Sequence, residues 1–187
     1  MVWFWLLKNQ IPEWTNMEKS DSNLPLSWSE ENSQEFIHYG NFFVPDRSLQ
    51  MSIICQLIPN FNETMRVLEL SCGEGLLAQT ILKQRPEISI IGLDTSDLMI
   101  HKARQRLSEF GSRFQGYTYN LIDSQWRKIY GSIHTVISSL AIHHLCDQEK
   151  KQLYKDIFEF LKPDGALIIS DLKIGRAHVW TPVTSVN

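Results

Sequence analysis

The stretch Val67-Leu68-Glu69-Leu70-Ser71-Cys72-Gly73-Glu74-Gly75, together with Ile90-Ile91-Gly92-Leu93-Asp94 further along, decides how this chain folds. Val67, Leu68 and Leu70, led in by Met65 and Arg66, make a short apolar run, the pattern of a parallel strand covered on both faces. Gly73 and Gly75 remove two side chains where the chain must turn, leaving bare backbone for a ligand to approach. Beyond them Leu76, Leu77, Thr80 and Ile81 recur at helical spacing, so the turn leads into a helix whose first N–H groups lack partners within it. Such donors suit a carboxylate or a phosphate. Ile88 to Leu93 then forms a second strand, with Asp94 at its carboxyl end, where ligands bind open α/β sheets. A carboxylate there can accept from both hydroxyls of a ribose, each charged bond contributing about 1.5 to 3 kcal/mol. The whole is a nucleoside-binding βαβ unit.

Two cofactor classes fit that unit. Gly73-x-Gly75-x-x-Ala78 satisfies the loose dinucleotide fingerprint, and Asp94 stands where its ribose-binding acid belongs. Glu69 tips the balance the other way. An acid just before the turn repels a pyrophosphate but can hold the ammonium of an amino acid. The expected ligand is therefore a nucleoside joined to an amino-acid moiety.

On these residues the chain resembles the class I S-adenosylmethionine-dependent methyltransferases. Their first motif, acid-x-Gly-x-Gly-x-Gly, stands here as Glu69 to Gly75 with Ser71 in place of the first glycine. Their second is matched by Asp94, Ser96 and Met99, and a later Leu-Lys-Pro-Gly-Gly motif by Leu161-Lys162-Pro163-Asp164-Gly165. The resemblance covers roughly residues 66 to 172. It implies an α/β, Rossmann-like doubly wound, mostly parallel sheet of strand order 3-2-1-4-5, counting the Val67 strand first, with a C-terminal antiparallel hairpin missing. It implies S-adenosyl-L-methionine as cofactor, with Glu69 at the methionine end, Ser71, Gly73 and Gly75 admitting the backbone approach, and Asp94 with Thr95 at the ribose. Met99, Asn120 and Leu121 fall beside the adenine, and Ser138 lies at the end of the neighbouring strand. Asn120 stands where the family commonly has an acid; its carbonyl can still accept from the adenine amino group, without charge. Asp123 is three positions further on, and Trp126 reads as a packing residue.

The remaining elements follow from periodicity. Residues Ser29 to His38 read as a helix with Phe36 and Ile37 inward, and Tyr39 to Pro45 as an aromatic loop. A second helix, Asp46 to Leu57, is capped by Asp46 and turns Leu49, Ile53, Ile54 and Leu57 to the core. In related proteins this region closes the site, which makes Tyr39 and Phe43 candidates for substrate contact. A helix from Ser96 to Phe110 buries Leu98, Ala103 and Leu107 and ends at Gly111. Strands are expected over Phe114 to Tyr119, His134 to Ser138 and Ala166 to Asp171, with a helix from Asp147 carrying Leu153, Ile157, Phe160 and Leu161 inward. His143 and His144 leave the carboxyl end of the His134 strand, and His144 is the stronger candidate for a general base. His38, His101, His134 and His178 read as surface or structural.

At 187 residues and 43% hydrophobic content the chain can bury one α/β core. The expected organisation is a leader over 1–28, disordered or partly non-native with Met17 a plausible start, and a methyltransferase domain over 29–173. That domain comprises cap helices over 29–60 and a cofactor-binding core over 66–172. Residues 174–187 lack periodicity and resemble a translated sequencing adapter, so a non-native tail is expected there. Val2 to Leu7 is too short for a membrane span or signal core. Cys55, Cys72 and Cys146 show no ligand spacing, which points to a reduced, cytoplasmic protein without a structural metal. A net charge of −3 and no basic stripe disfavour nucleic acid. The expected partner is a small-molecule methyl acceptor. The alternatives are an RNA or protein methyltransferase, an inactive cofactor-binding fragment and, more distantly, a nicotinamide dehydrogenase.

Overall fold

The computed structural model describes residues 2–7, 29–44, 46–123, 126 and 133–171. Among the described residues six strands form one sheet: β1 (Val2–Leu7), β2 (Met65–Leu70), β3 (Ile88–Asp94), β4 (Phe114–Thr118), β5 (Ile133–Ser139) and β6 (Leu161–Asp171), in the order β1-β6-β5-β2-β3-β4. All neighbours among β2 to β6 run parallel, so the expected 3-2-1-4-5 order is present as β4-β3-β2-β5-β6. Among the described residues five α-helices accompany the sheet: α1 (Glu30–Phe43), α2 (Arg47–Leu57), α3 (Leu76–Gln84), α4 (Asp97–Arg106) and α5 (Asp147–Phe160).

Alternation along the strands sorts the core onto two faces. Met65, Val67, Ile90, Ile137 and Ile168 join Ile54 of α2, Ala78 and Ile81 of α3 and Ala103 of α4. Leu68, Leu70, Leu93, Val136 and Leu167 join Leu153 and Ile157 of α5 on the opposite side. Glu69 shares its parity with Val67, so it lies on the face covered by α2, α3 and α4. α2 and α3 descend together from the carboxyl rim of the sheet: Thr80 Oγ1 donates to Met51 Sδ at 4.0 Å, and Arg85 Nη1, just past α3, reaches the Ile58 carbonyl just past α2.

Several sequence expectations are corrected. Val2–Leu7, expected within a disordered leader, is a strand antiparallel to β6, with Val2 opposite Asp171 and Leu7 opposite Ala166. Its Val, Trp, Phe and Leu residues favour extended backbone, and without it β6 would present an unpaired edge. α1 runs through the expected aromatic loop to Phe43, because Gly40 costs a helix only about 1 kcal/mol and the first strong stop is Pro45. The Asp46 side chain makes no cap bond; its residue is left-handed at φ 56°, whereas a capping residue is extended. α2 buries Gln50, Ile54 and Cys55, which turns Leu49 outward to 60% exposure. α4 stops at Arg106 and continues as a 3₁₀ segment, Ser108–Arg113, that kinks at Gly111. Leu161 to Gly165, expected as a helix-to-strand turn, already belongs to β6, with a register shift opposite β5 and Asp164 at φ 64°. The expected positions of Met17 and of the tail over 174–187 lie outside the described residues.

Candidate functional site

The turn after β2 passes through the left-handed region three times, at Ser71 (φ 54°), Gly73 (φ 53°) and Gly75 (φ 82°). Ser71, where the resembled motif has glycine, carries a Cβ in that region at a cost of about 1 to 2 kcal/mol. A Cβ on Gly75 would lie 2.8 Å from Leu107 Cδ1, so the side chains after and within α4 press directly on the turn. At Gly73 the nearest atom would be Met99 Sδ at 4.0 Å, which leaves space above the backbone. Cys72 N donates to the Leu93 carbonyl at 2.8 Å, and Arg106 donates to the Glu74 carbonyl at 3.0 Å and to Glu74 Oε2 at 2.6 Å. The turn is thus tied to β3 and α4 on its outer side and open on its inner side.

Two carboxylates within electrostatic reach of each other lie beside it. Asp94, buried at the end of β3, accepts from Gly73 N at 2.8 Å through Oδ2 and from Ser96 N at 3.0 Å through Oδ1. Burial raises its pKa, and the backbone bonds from Ser96, Gly73 and Thr95 oppose that rise. Glu69 is 3% exposed, and its Oε2 has no hydrogen-bond partner among the described residues. Burial first, and then the Asp94 charge, push its pKa up to about 8, with Arg47 acting against them. Such a group is costly to bury unless something arrives to pair with it. Glu30, in the first turn of α1, accepts from Ser96 Oγ at 2.7 Å and Asp97 N at 3.1 Å, so α1 is fastened to the start of α4 beside Asp94.

The end of β5 carries a second group of polar side chains. Ser138 Oγ donates to the Leu70 carbonyl at 3.3 Å, joining β5 to the strand that bears Glu69. In the 3₁₀ turn Ile142–His144, His143 donates its backbone N–H to Asp171 Oδ2 at 2.9 Å and its ring Nδ1 lies 2.5 Å from Oδ1. A carboxylate only accepts, so a ring proton sits on Nδ1. His144 stacks on His143 with centroids 4.0 Å apart; burial and then the neighbouring His143 lower its pKa. The Tyr154 hydroxyl is pushed up to about 12 by burial and then by Asp171.

The sequence-predicted residues divide accordingly. Glu69, Ser71, Gly73, Gly75, Asp94 and Met99 meet at the turn. Thr95 and Asn120 are exposed, Leu121 is buried, and Asn120 Oδ1 accepts from Ile122 N at 3.0 Å. Trp126 is fully buried against Phe160, a packing role. Tyr39 is exposed with its ring against His38, and the Phe43 side chain lies outside what is described. Sequence reasoning missed Asp171, Glu30 and Arg47. Asp171 left a signal, since it ends a buried strand in an acid just as Asp94 does. Arg47 left one too: a cation in the first turn of a helix opposes the helix dipole.

A family model described as a methyltransferase domain matches residues 68–167. The chain belongs to this family. It is similar to a malonyl-[acyl-carrier protein] O-methyltransferase of Priestia megaterium, 33% identical over 138 residues, or 66% of this chain and 43% of that protein. A carboxy-S-adenosyl-L-methionine synthase of Nautilia profundicola is 21% identical over 160 residues, or 83% of this chain and 67% of that protein. The chain thus spans between 43% and 67% of the length of these curated relatives. The solved O-methyltransferase family protein from Burkholderia thailandensis shares the fold with a TM-score of 0.63 at 18% identity, covering 75% of this chain and 41% of that one. The cofactor of the family is S-adenosyl-L-methionine, and the residues fit it: a buried carboxylate lacking a partner faces an open glycine turn with an acid beyond it.

Proposed function

We infer that this chain transfers a methyl group from S-adenosyl-L-methionine to a small-molecule acceptor. The observation that carries the reading is Glu69, a fully enclosed carboxylate with an unused oxygen, set where an amino-acid ammonium completes it. A dinucleotide would bring a pyrophosphate to the same place and meet repulsion. Glu69 holds the ammonium, while Ser71, Gly73 and Gly75 give the ligand access to bare backbone. Asp94 and Thr95 hold the ribose hydroxyls, and Met99, Asn120 and Leu121 border the adenine. Ser138 keeps the β5 end in register beside the turn through its bond to Leu70.

When bound, the cofactor supplies a methyl group already activated on a sulfonium. The protein therefore mainly aligns the acceptor and excludes water. His144 is the candidate general base for a hydroxyl or amine acceptor, and its lowered pKa keeps it unprotonated at neutral pH. His143, whose ring is oriented by Asp171, stands beside it as an alternative base. The free thiols Cys55, Cys72 and Cys146 suit a reducing compartment, the cytoplasm.

Calorimetric titration with S-adenosyl-L-methionine and with NAD tests the cofactor class. Binding of NAD alone would refute the reading. Labelled-methyl transfer to a metabolite pool is expected, whereas transfer confined to RNA or protein would reassign the acceptor. No transfer to any pool, with binding intact, would mark this chain as a binder.

A further inference from the structure

We propose that Arg47 grips the carboxylate of the ligand's amino-acid end, so that Arg47 and Glu69 together select a zwitterion. The proposal rests on the cofactor reading above and adds the residue that reads the second charge. The geometry begins with the shared descent of α2 and α3. Met51 is level with Thr80, so Arg47, one turn earlier in α2, is level with Leu76 and the Gly75 turn, one turn earlier in α3. Glu69 lies on this same face of the sheet.

The guanidinium is half-buried, yet among the described residues it makes no hydrogen bond or ion pair. Its one close partner is the Phe36 ring, with the guanidinium carbon 5.2 Å from the centroid. Stacking on a ring face leaves the in-plane N–H fork free, the arrangement that suits a carboxylate. Burial lowers the Arg47 pKa, and the charges of Glu74 and, less strongly, Glu69 act against that, which places both acids within its electrostatic reach. The site thus holds a cation without an anion and, nearby, an acid without a cation. They do not pair with each other. An α-amino acid carries the two complementary charges one carbon apart and satisfies both. The placement also costs the helix, because a cation at the amino end of α2 opposes the dipole by about 0.3 to 1 kcal/mol. That cost has no compensation in the helix itself.

The test is calorimetry on the full chain with two probes: S-adenosyl-L-homocysteine, and its decarboxylated analogue, which keeps the ammonium and lacks only the carboxylate. The parent should bind the first about 10- to 100-fold more tightly than the second. Arg47→Ala should abolish that preference by weakening S-adenosyl-L-homocysteine alone, and Arg47→Lys should restore part of it, since it keeps the charge but loses the fork. Retained binding of the decarboxylated probe shows that the variant is folded. Equal loss for both probes, or no loss for either, would overturn the clamp and assign Arg47 to packing on Phe36. A parent that does not distinguish the probes overturns the clamp while leaving the nucleoside site standing. A parent that binds neither removes the cofactor reading and the clamp with it.

Discussion

At the amino-terminal ends of the strands, His134 Nδ1 accepts from Arg66 N at 2.9 Å, so its proton lies on Nε2, 3.0 Å from Glu63 Oε1. Lys162 Nζ donates to the same Oε1 at 2.6 Å. Arg113 spreads its donors over the carbonyls of Leu82, Arg85 and Ile88, and Arg85 joins Glu87 to Asn60. At the carboxyl ends of the same strands, among the described residues, Glu69 Oε2 has no hydrogen-bond partner, the Arg47 guanidinium lies over a ring without an ion pair, and Ser71 is held in the left-handed region. The difference separates two uses of polarity. Groups that saturate one another hold the fold, and groups left incomplete or strained are where the proposed ligand would complete the structure.

Glu69→Gln should break this contrast most sharply. The variant loses the charge proposed to hold the ammonium, and S-adenosyl-L-homocysteine affinity should fall about 100-fold by calorimetry. Unliganded stability should move the other way. A carboxyl whose pKa is raised from 4.5 to about 8 in the folded state contributes fully below its ordinary value and loses that contribution as pH rises through about 8. The melting temperature of the unliganded parent should therefore decline across that window, and Glu69→Gln should flatten the decline. An unchanged slope would show that Glu69 is ionised in the free protein.

Asp94→Ala should lower affinity about 10- to 100-fold, because it removes the proposed ribose acceptor and frees Gly73 N. Equal affinity for parent and variant would take Asp94 out of the site. Arg113→Ala probes the opposite end: denaturant unfolding should show a loss of about 1 to 3 kcal/mol while affinity stays unchanged. A drop in affinity there would erase the distinction between the two ends. Ser71→Gly should have the smallest effect, a gain of about 1 kcal/mol or less with the turn intact.

The βαβ unit was legible because strand, turn and helix are contiguous, and each obeys a local rule. Val67 to Leu70, the positive-φ glycines and the α3 stripe all fell where the pattern placed them. Glu69 and Asp94 were legible for the same reason, since each is fixed by the end of its own strand. Arg47 and Asp171 were not, because their meaning depends on which elements become neighbours. Asp171 lies 28 residues from His143 in sequence, and only the β5–β6 pairing brings them together. The α1 boundary was missed because aromatic clustering outweighed the weaker fact that nothing before Pro45 stops a helix. The strand at Val2–Leu7 was missed because its hydrogen-bonding partner is at the far end of the chain.

The antiparallel register of β1 has a practical result. Val2 is paired with Asp171, whose carboxylate holds His143, so β1 begins at the carboxyl rim of the parallel strands, beside the Ile142–His144 turn. Removing Val2–Leu7 would bare the β6 edge to pairing with a second copy of the chain.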